Sequence, residues 1–243
     1  MYKTFLFIGL TFLISLSSFS QTTSKEKIYS WYDQQTGIEN SILFRGMEYV
    51  EKDRMINEKH KFFETQKFQN GSLIYDGQIY YNVPLQYNIY DDLILVNIKN
   101  EGVSSIFQLF SSKVNQFQVN DNKFRFLQPN NNLDIKGFYE VINQEGQLKI
   151  FKKHLRNRME IRDRSVAYTE FSLADPQYIF QFKNDFFELD NRRDLLAQFP
   201  NLKGEIKDYY SKYRRQYKDN PDTFMNNLAD KMNSLISNST NQI

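Results

Sequence analysis

Few residues in this chain are of the types that do chemistry. Its two histidines, His60 in EKHKFF and His154 in FKKHLR, each sit beside lysines, and neither has the spacing of a metal ligand pair such as His-x-x-x-His. Both are expected as solvated surface side chains. Asp91-Asp92 could act as an acid–base pair, but neighbours along a strand point to opposite faces, so the two are expected to build a turn. Asp33 and Glu39 near Trp31 would suit a sugar site, though nothing in their spacing sets a geometry. The chain has no cysteine, which excludes disulfides, thiolate metal sites, a cysteine nucleophile and a lipid-modified N-terminal cysteine. There is no Gly-x-Ser-x-Gly elbow, phosphate loop, Rossmann fingerprint or EF-hand loop, so no cofactor and no metal are expected. The reading that follows is a non-enzymatic binding or structural module. The alternatives are an exported hydrolase using carboxylates, which need no local signature, and an accessory subunit of an envelope complex docking through its basic segment.

Binding could fall to aromatic or basic residues. The stretch LIYDGQIYYNVPLQYNIYDDLILVN is dense in tyrosine, and Tyr75, Tyr80, Tyr87 and Tyr90, with Trp31, are the candidate ligand-binding rings. Packing is the competing and preferred reading, because tyrosine suits a half-covered sheet face, with an apolar ring and a hydroxyl that can reach water. The segment KIFKKHLRNRMEIRDR supplies Lys149, Lys152, Lys153, Arg156 and Arg158 as candidates for an anionic surface such as lipid head groups or lipopolysaccharide. A solvated hairpin, with Glu160 and Asp163 offsetting the charge, is the simpler reading. A net charge of +2 argues neither for nor against a polyanion, and no nucleic-acid partner is expected of an exported chain. The partners expected are an envelope protein or a glycan.

The elements that must position these residues are β-rich. With 22 Phe and 16 Tyr, a core is within reach without disulfides. Short aromatic and β-branched runs, broken by Asp76-Gly77, Gln144-Glu145-Gly146 and weaker turns, predict an antiparallel meander over residues 41–189, as an open sheet or partly closed barrel. Asp76-Gly77 predicts a two-residue hairpin with Tyr75 opposite Gln78, Ile74 opposite Ile79 and Leu73 opposite Tyr80. Its core face is then expected to carry Ile74, Ile79, Tyr81 and Val83, and its mixed face Leu73, Tyr75 and Tyr80. Residues 190–236 predict helices. Asn191 and Asp194 form a capping pair, and Leu202, Ile206, Tyr209, Tyr210, Tyr213 and Tyr217 share one helical face. Asn220-Pro221 starts another helix, with a stripe of Phe224, Leu228, Met232 and Ile236. The fold class expected is α+β, with this helical hairpin packed on the sheet and its tyrosines a candidate cover for the first strand hairpin. Residues 237–243 are expected as a disordered tail.

MYKTFLFIGLTFLISLSSFSQ has Lys3, an apolar run from Phe5 to Leu16, and small Ser18 and Ser20 before Gln21, the pattern of a signal peptide over residues 1–20. A leader and a short element occupy 21–40. Export to the periplasm or outer membrane follows as an expectation, without a transmembrane segment after signal removal and without a lipid anchor. Tyr75-Asp76-Gly77, Tyr80 or Tyr81, Val83, Leu85, Tyr87-Asn88-Ile89-Tyr90 and Asp92, then Gly137-Phe138-Tyr139-Glu140-Val141, the lysine-rich Lys149 to Lys153, and FFELDNRRDLLAQFPNLKGEIKDYY together resemble a family of exported β-rich proteins of Bacteroidetes-type bacteria. The resemblance implies a fold. It implies no reaction and carries no catalytic residues.

Overall fold

The computed structural model describes residues 27–29, 43, 46–56, 58–100, 102–128, 133, 135–163 and 166–240. The signal segment, Trp31, Asp33 and Glu39, the loop at 130–132 and residues 241–243 lie outside them. The strands are β1 (Met47–Glu48), β2 (Gln69–Tyr75), β3 (Gln78–Asn88), β4 (Leu93–Asn100), β5 (Val103–Gln108), β6 (Val114–Val119) and β7 (Asn122–Leu127). They continue with β8 (Gly137–Asn143), β9 (Leu148–Lys153), β10 (Arg156–Asp163), β11 (Val166–Leu173), β12 (Gln177–Phe182) and β13 (Asp185–Glu188). Eleven of them form one antiparallel sheet in the order β1-β5-β4-β3-β2-β6-β7-β8-β9-β12-β13, and β10 and β11 stand apart as a two-stranded arm. Helices α1 (Arg192–Gln198), α2 (Lys203–Lys212), α3 (Arg214–Asp219) and α4 (Pro221–Thr240) follow. The α+β class expected from the sequence is the one observed.

The β2–β3 hairpin has the anticipated register, with Tyr75 opposite Gln78 and Leu73 opposite Tyr80. Asp76 and Gly77 both take positive φ, 50° and 81°, as a type I′ turn needs. The buried face is nevertheless the other one. Leu73, Tyr75 and Tyr80 are at most 1% exposed, while Ile74, Ile79 and Tyr81 are half-buried. A bulge explains the error: Gly71 pairs with Val83 but Leu73 pairs with Tyr80, so Tyr81 and Asn82 together oppose Ser72. Asn82 takes φ 53°, a left-handed conformation that Asn tolerates better than most residues. The extra residue shifts the inward phase, so that Tyr80 and Val83 both point inward and Leu85 and Tyr87 follow.

The sheet is strongly curled. Four ladder steps separate β3 from β8, about 19 Å in a flat sheet. Yet Asp92, in the β3–β4 turn, accepts the Phe138 N–H of β8 at 3.1 Å. Gly137 permits this approach, because a Cβ there would collide with the Asp92 carboxylate. Inside the curl lies a first core that includes Tyr75, Tyr80, Tyr87, Phe117, Phe124 and Phe138. Phe117 and Phe124 stack at 4.6 Å, and Tyr87 and Phe138 meet them edge-on.

A second core joins the helices to β9 and β12 through Leu148, Ile150, Phe180, Phe224 and Leu228. The helices therefore cover the far half of the sheet, and the first hairpin is covered by the curl itself. α1 begins with the expected box, in which Asn191 accepts from Arg193 N and Asp194 accepts from Asn191 N. Asn220 caps α4 through Thr223 N at 3.2 Å. The single helix expected over Leu202–Tyr217 is broken at Tyr213, between α2 and α3. Residues 237–240, expected to be disordered, continue α4. On the second core, Asn233 clasps the β8–β9 turn: its side chain accepts from Leu148 N at 2.7 Å and donates to Glu145 O at 2.7 Å.

The bulge yields a test. Asn82→Val should lower stability by about 1–2 kcal/mol because a β-branched residue is strained at positive φ, whereas Asn82→Gly should be nearly neutral. Urea unfolding measures both, and equal losses would place the effect in the side chain instead of the backbone.

Candidate functional site

A charge cluster built around one buried lysine lies where four distant segments meet. Residues 61–63 run beside the end of β3, with Ile89 N donating to Lys61 O at 3.0 Å and Phe63 N to Tyr87 O at 2.8 Å. This places Lys61 under the β3–β4 turn, with only 3% of its side chain exposed. Its ammonium meets Asp53 at 2.7 Å, Glu51 at 2.8 Å and Asp91 at 3.5 Å. Asp91 is held by Asn88, whose amide donates to it at 2.7 Å. From the arm, Arg158 reaches Asp53 at 3.3 Å. The rings of Tyr49 and Phe171 each lie 5.9 Å from the Lys61 ammonium, and Tyr90 meets Phe171 edge-on at 5.1 Å. These groups border an open cleft of about 670 Å³, whose walls include Tyr49, Asp53, Lys61, Tyr90, Asp91 and Arg158.

The electrostatics are those of a fixed array. Burial alone would raise the Asp53 carboxyl, but hydrogen bonds and charge from Lys61 and Arg158 hold it below its usual value. Burial alone would lower Lys61, yet the hydrogen bonds it makes to Asp53, Glu51 and Tyr49 hold its pKa well above the ordinary lysine value. Burial, then the hydrogen bond to Glu51 at 2.9 Å, pushes the Tyr49 phenol up to about 12. None of these three groups is poised to exchange a proton near neutral pH, as general acid–base work requires. What the array offers is ionised acceptors, a charged donor and the half-exposed ring of Tyr90.

A second polar constellation crosses the sheet between the two cores. Direct strand partners place Phe124, Glu140, Lys152 and Tyr178 in one row over β7, β8, β9 and β12. Glu140 accepts from Asn122 at 2.6 Å and lies 2.6 Å from His154 Nε2. Lys152 bonds Asp222 at 2.6 Å, and Tyr178 donates to the same carboxylate at 2.5 Å. Despite burial, which raises carboxyls, Glu140 is held low by His154 and Asn122, and Asp222 by Lys152 and Tyr178. The pairs are closed on one another. Among the described residues no group of three or more His, Asp or Glu side chains could hold a metal ion.

Of the rings proposed for binding, Tyr75, Tyr80 and Tyr87 are core residues, 1%, 0% and 2% exposed, because the curl turns their face inward. Tyr90, at 43% exposed, stands in the cleft, and Trp31 lies outside the described residues. The basic candidates mostly turn to internal partners: Lys152 to Asp222, Lys153 to Asp92 at 2.8 Å, Arg156 to Phe62 O at 3.0 Å and Arg158 to Asp53. Lys149 stays half-buried on β9. The histidines are not solvated, contrary to expectation. His60 is 4% exposed, held below its usual pKa by burial and by Arg156, and His154 packs edge-on against Phe63. Asp91 and Asp92 do build the turn, and Asp92 also joins Lys153, Tyr87 and Phe138. Sequence reading passed over Lys61, Tyr49, Asp53 and Phe171. Only the Phe62-Phe63 pair beside Lys61 hinted that this charge run enters the interior.

No family model matches the chain, and no curated protein or solved structure matches it. Among the described residues no helix is long and apolar enough to cross a membrane.

Two measurements test the ionic framework. Asp92→Asn keeps a residue tolerant of the positive φ but leaves buried Lys153 without its counter-charge. It should cost about 3 kcal/mol in urea unfolding, with part of the loss recovered in Asp92→Asn/Lys153→Met. The carboxyls of Asp53, Glu140 and Asp222 sit below their ordinary values when folded, so the unfolded chain binds more protons as pH falls. Their stabilisation should be complete above about pH 5 and be lost as pH falls through the ordinary carboxyl range near 4 and below it. A urea midpoint that stays flat from pH 6 to about pH 3 would contradict this.

Proposed function

We propose that the protein is an exported, non-enzymatic binding module that takes a glycan in the Lys61 cleft. The observation that carries this reading is the half-exposed Tyr90 ring beside a rigid set of carboxylates and cations. A sugar presents both surfaces at once: a C–H face for an aromatic ring, and hydroxyls that donate to carboxylates and accept from ammonium or guanidinium. Asp53 and Asp91 supply acceptors already held by Lys61 and Asn88, so little ordering is left for the moment of binding. The competing hydrolase would need one acid kept protonated near neutral pH, and here Lys61 and Arg158 favour the ionised form of Asp53. Export rests on the Met1–Gln21 pattern. Kinship with the exported β-rich family rests on the hairpin and Gly-Phe-Tyr motifs.

Titration calorimetry against a panel of neutral and acidic oligosaccharides tests the reading. The wild-type chain should bind at least one class, and Tyr90→Ala should weaken that binding about tenfold, or roughly 1.4 kcal/mol, without moving the melting temperature. An affinity unchanged in Tyr90→Ala, or no binding across the panel, would refute it. Turnover of any of these glycans would favour the hydrolase instead.

A further inference from the structure

Among the described residues, the β10–β11 arm leaves one edge open. On the β11 side, residues 54–56 and 58–59 run alongside, with Thr169 N donating to Arg54 O at 2.9 Å and Phe171 N to Lys59 O at 3.0 Å. On the β10 side no described residue makes a backbone hydrogen bond to Asn157–Arg162 beyond the ladder to β11. Half of a strand's N–H and C=O groups point to each side, so this edge is a template for another strand. Nothing blunts it. β10 has no proline between Arg156 and Asp163, its ladder with β11 runs without a register shift, and Met159 is 57% exposed.

We propose that β10 pairs antiparallel with β10 of a second copy of this chain, about a two-fold axis through Ile161. A two-fold axis perpendicular to the arm keeps each face on its own side, so residues of like parity must meet. Charge then selects the register. An axis through Ile161 sets Glu160 opposite Arg162 twice and Ile161 opposite itself. An axis through Glu160 would set Glu160 against itself and Arg158 against Arg162, both like-charge pairs. An axis through Met159 would set Glu160 opposite Arg158, which is already drawn to Asp53 at 3.3 Å, and would bring Arg156 against Arg162. Glu160 and Arg162 lie on one face and already approach to 3.5 Å within one strand, so crossing to a partner asks little rearrangement. β10 ends at Asp163, so Arg158 falls beyond the end of the paired strand. A ladder this short buries little area, and the association is weak.

The absence of cysteine makes the register directly testable in the full chain. Residues facing themselves across a ladder have Cα atoms about 4.5–5.5 Å apart, within disulfide range. Ile161→Cys should therefore form a disulfide-linked dimer under mild oxidation, several-fold more than Met159→Cys at equal concentration. Glu160→Arg or Arg162→Glu, added to Ile161→Cys, should suppress that product, and the double reversal should restore it. Circular dichroism confirms that each variant is folded. Equal crosslinking at 159 and 161, or yields indifferent to charge reversal, would overturn the proposal. Failure of the double reversal to restore the product would overturn the register.

Discussion

Asp92 closes the curl, and the rest of the structure depends on that closure. Its carboxylate accepts from the Tyr87 hydroxyl at 2.7 Å and the Phe138 N–H at 3.1 Å, and pairs with Lys153 at 2.8 Å. No strand ladder joins β3 to β8, so side chains do what backbone pairing does in a closed barrel. Desolvation pulls the Lys153 ammonium below its usual pKa against the opposing pull of Asp92, and the ammonium also donates to Phe138 O at 3.1 Å. The same four-residue turn carries Tyr90 and Asp91 into the cleft. Closure and candidate site are therefore one piece of backbone, and a change that loosens the first moves the second.

The polar row between the two cores addresses a different constraint. A sheet of eleven strands is too wide for one core to cover, so the curl encloses one half and the helices cover the other. Where the covers meet, the face cannot be apolar throughout, since solvent reaches the join at Asp222, 43% exposed along its side chain. Glu140 and Lys152 occupy the join. They are tolerable because Asn122 and His154 bond Glu140, and Asp222, itself held by Tyr178, bonds Lys152. Asp222 also sits in the first turn of α4, where the helix dipole favours a carboxylate. The row thus sets where α4 docks along the sheet, while the apolar stripe supplies the attraction.

What could be read from the sequence was local. Asp76-Gly77 specified the hairpin register because a two-residue turn leaves no slack, and Asn191 and Asn220 specified helix starts because capping is a contact of near neighbours. The buried face was not readable. It turned on one extra residue at Asn82, and Asn in a strand run carries no mark of a bulge. The burial of His60 and Lys61 was hidden for a related reason. Their lysine neighbours signal solvent, and only the distant β3–β4 turn and the arm decide otherwise. The cleft draws on residues near 50, 61, 90 and 158, whose convergence follows from the curl and from no spacing along the chain.

The tyrosine load now has a physical account. In the middle of the first core the rings are Phe117, Phe124 and Phe138, which have no polar atom to satisfy. Three tyrosines place a hydroxyl where it crosses to another element. Tyr87 ties β3 to Asp92, Tyr178 ties β12 to α4 through Asp222, and Tyr217 ties α3 to Asp190 O at 3.0 Å. Each fills space with its ring and fixes a neighbour with its oxygen. Tyr90 departs from the pattern: its ring leans on Phe171, and no described residue bonds its hydroxyl. A ring held by one edge-on contact, in a turn otherwise pinned by Asp92 and Asn88, adds little to the fold that a smaller residue would lose. Its ring faces the cleft that Lys61, Asp53 and Asp91 border.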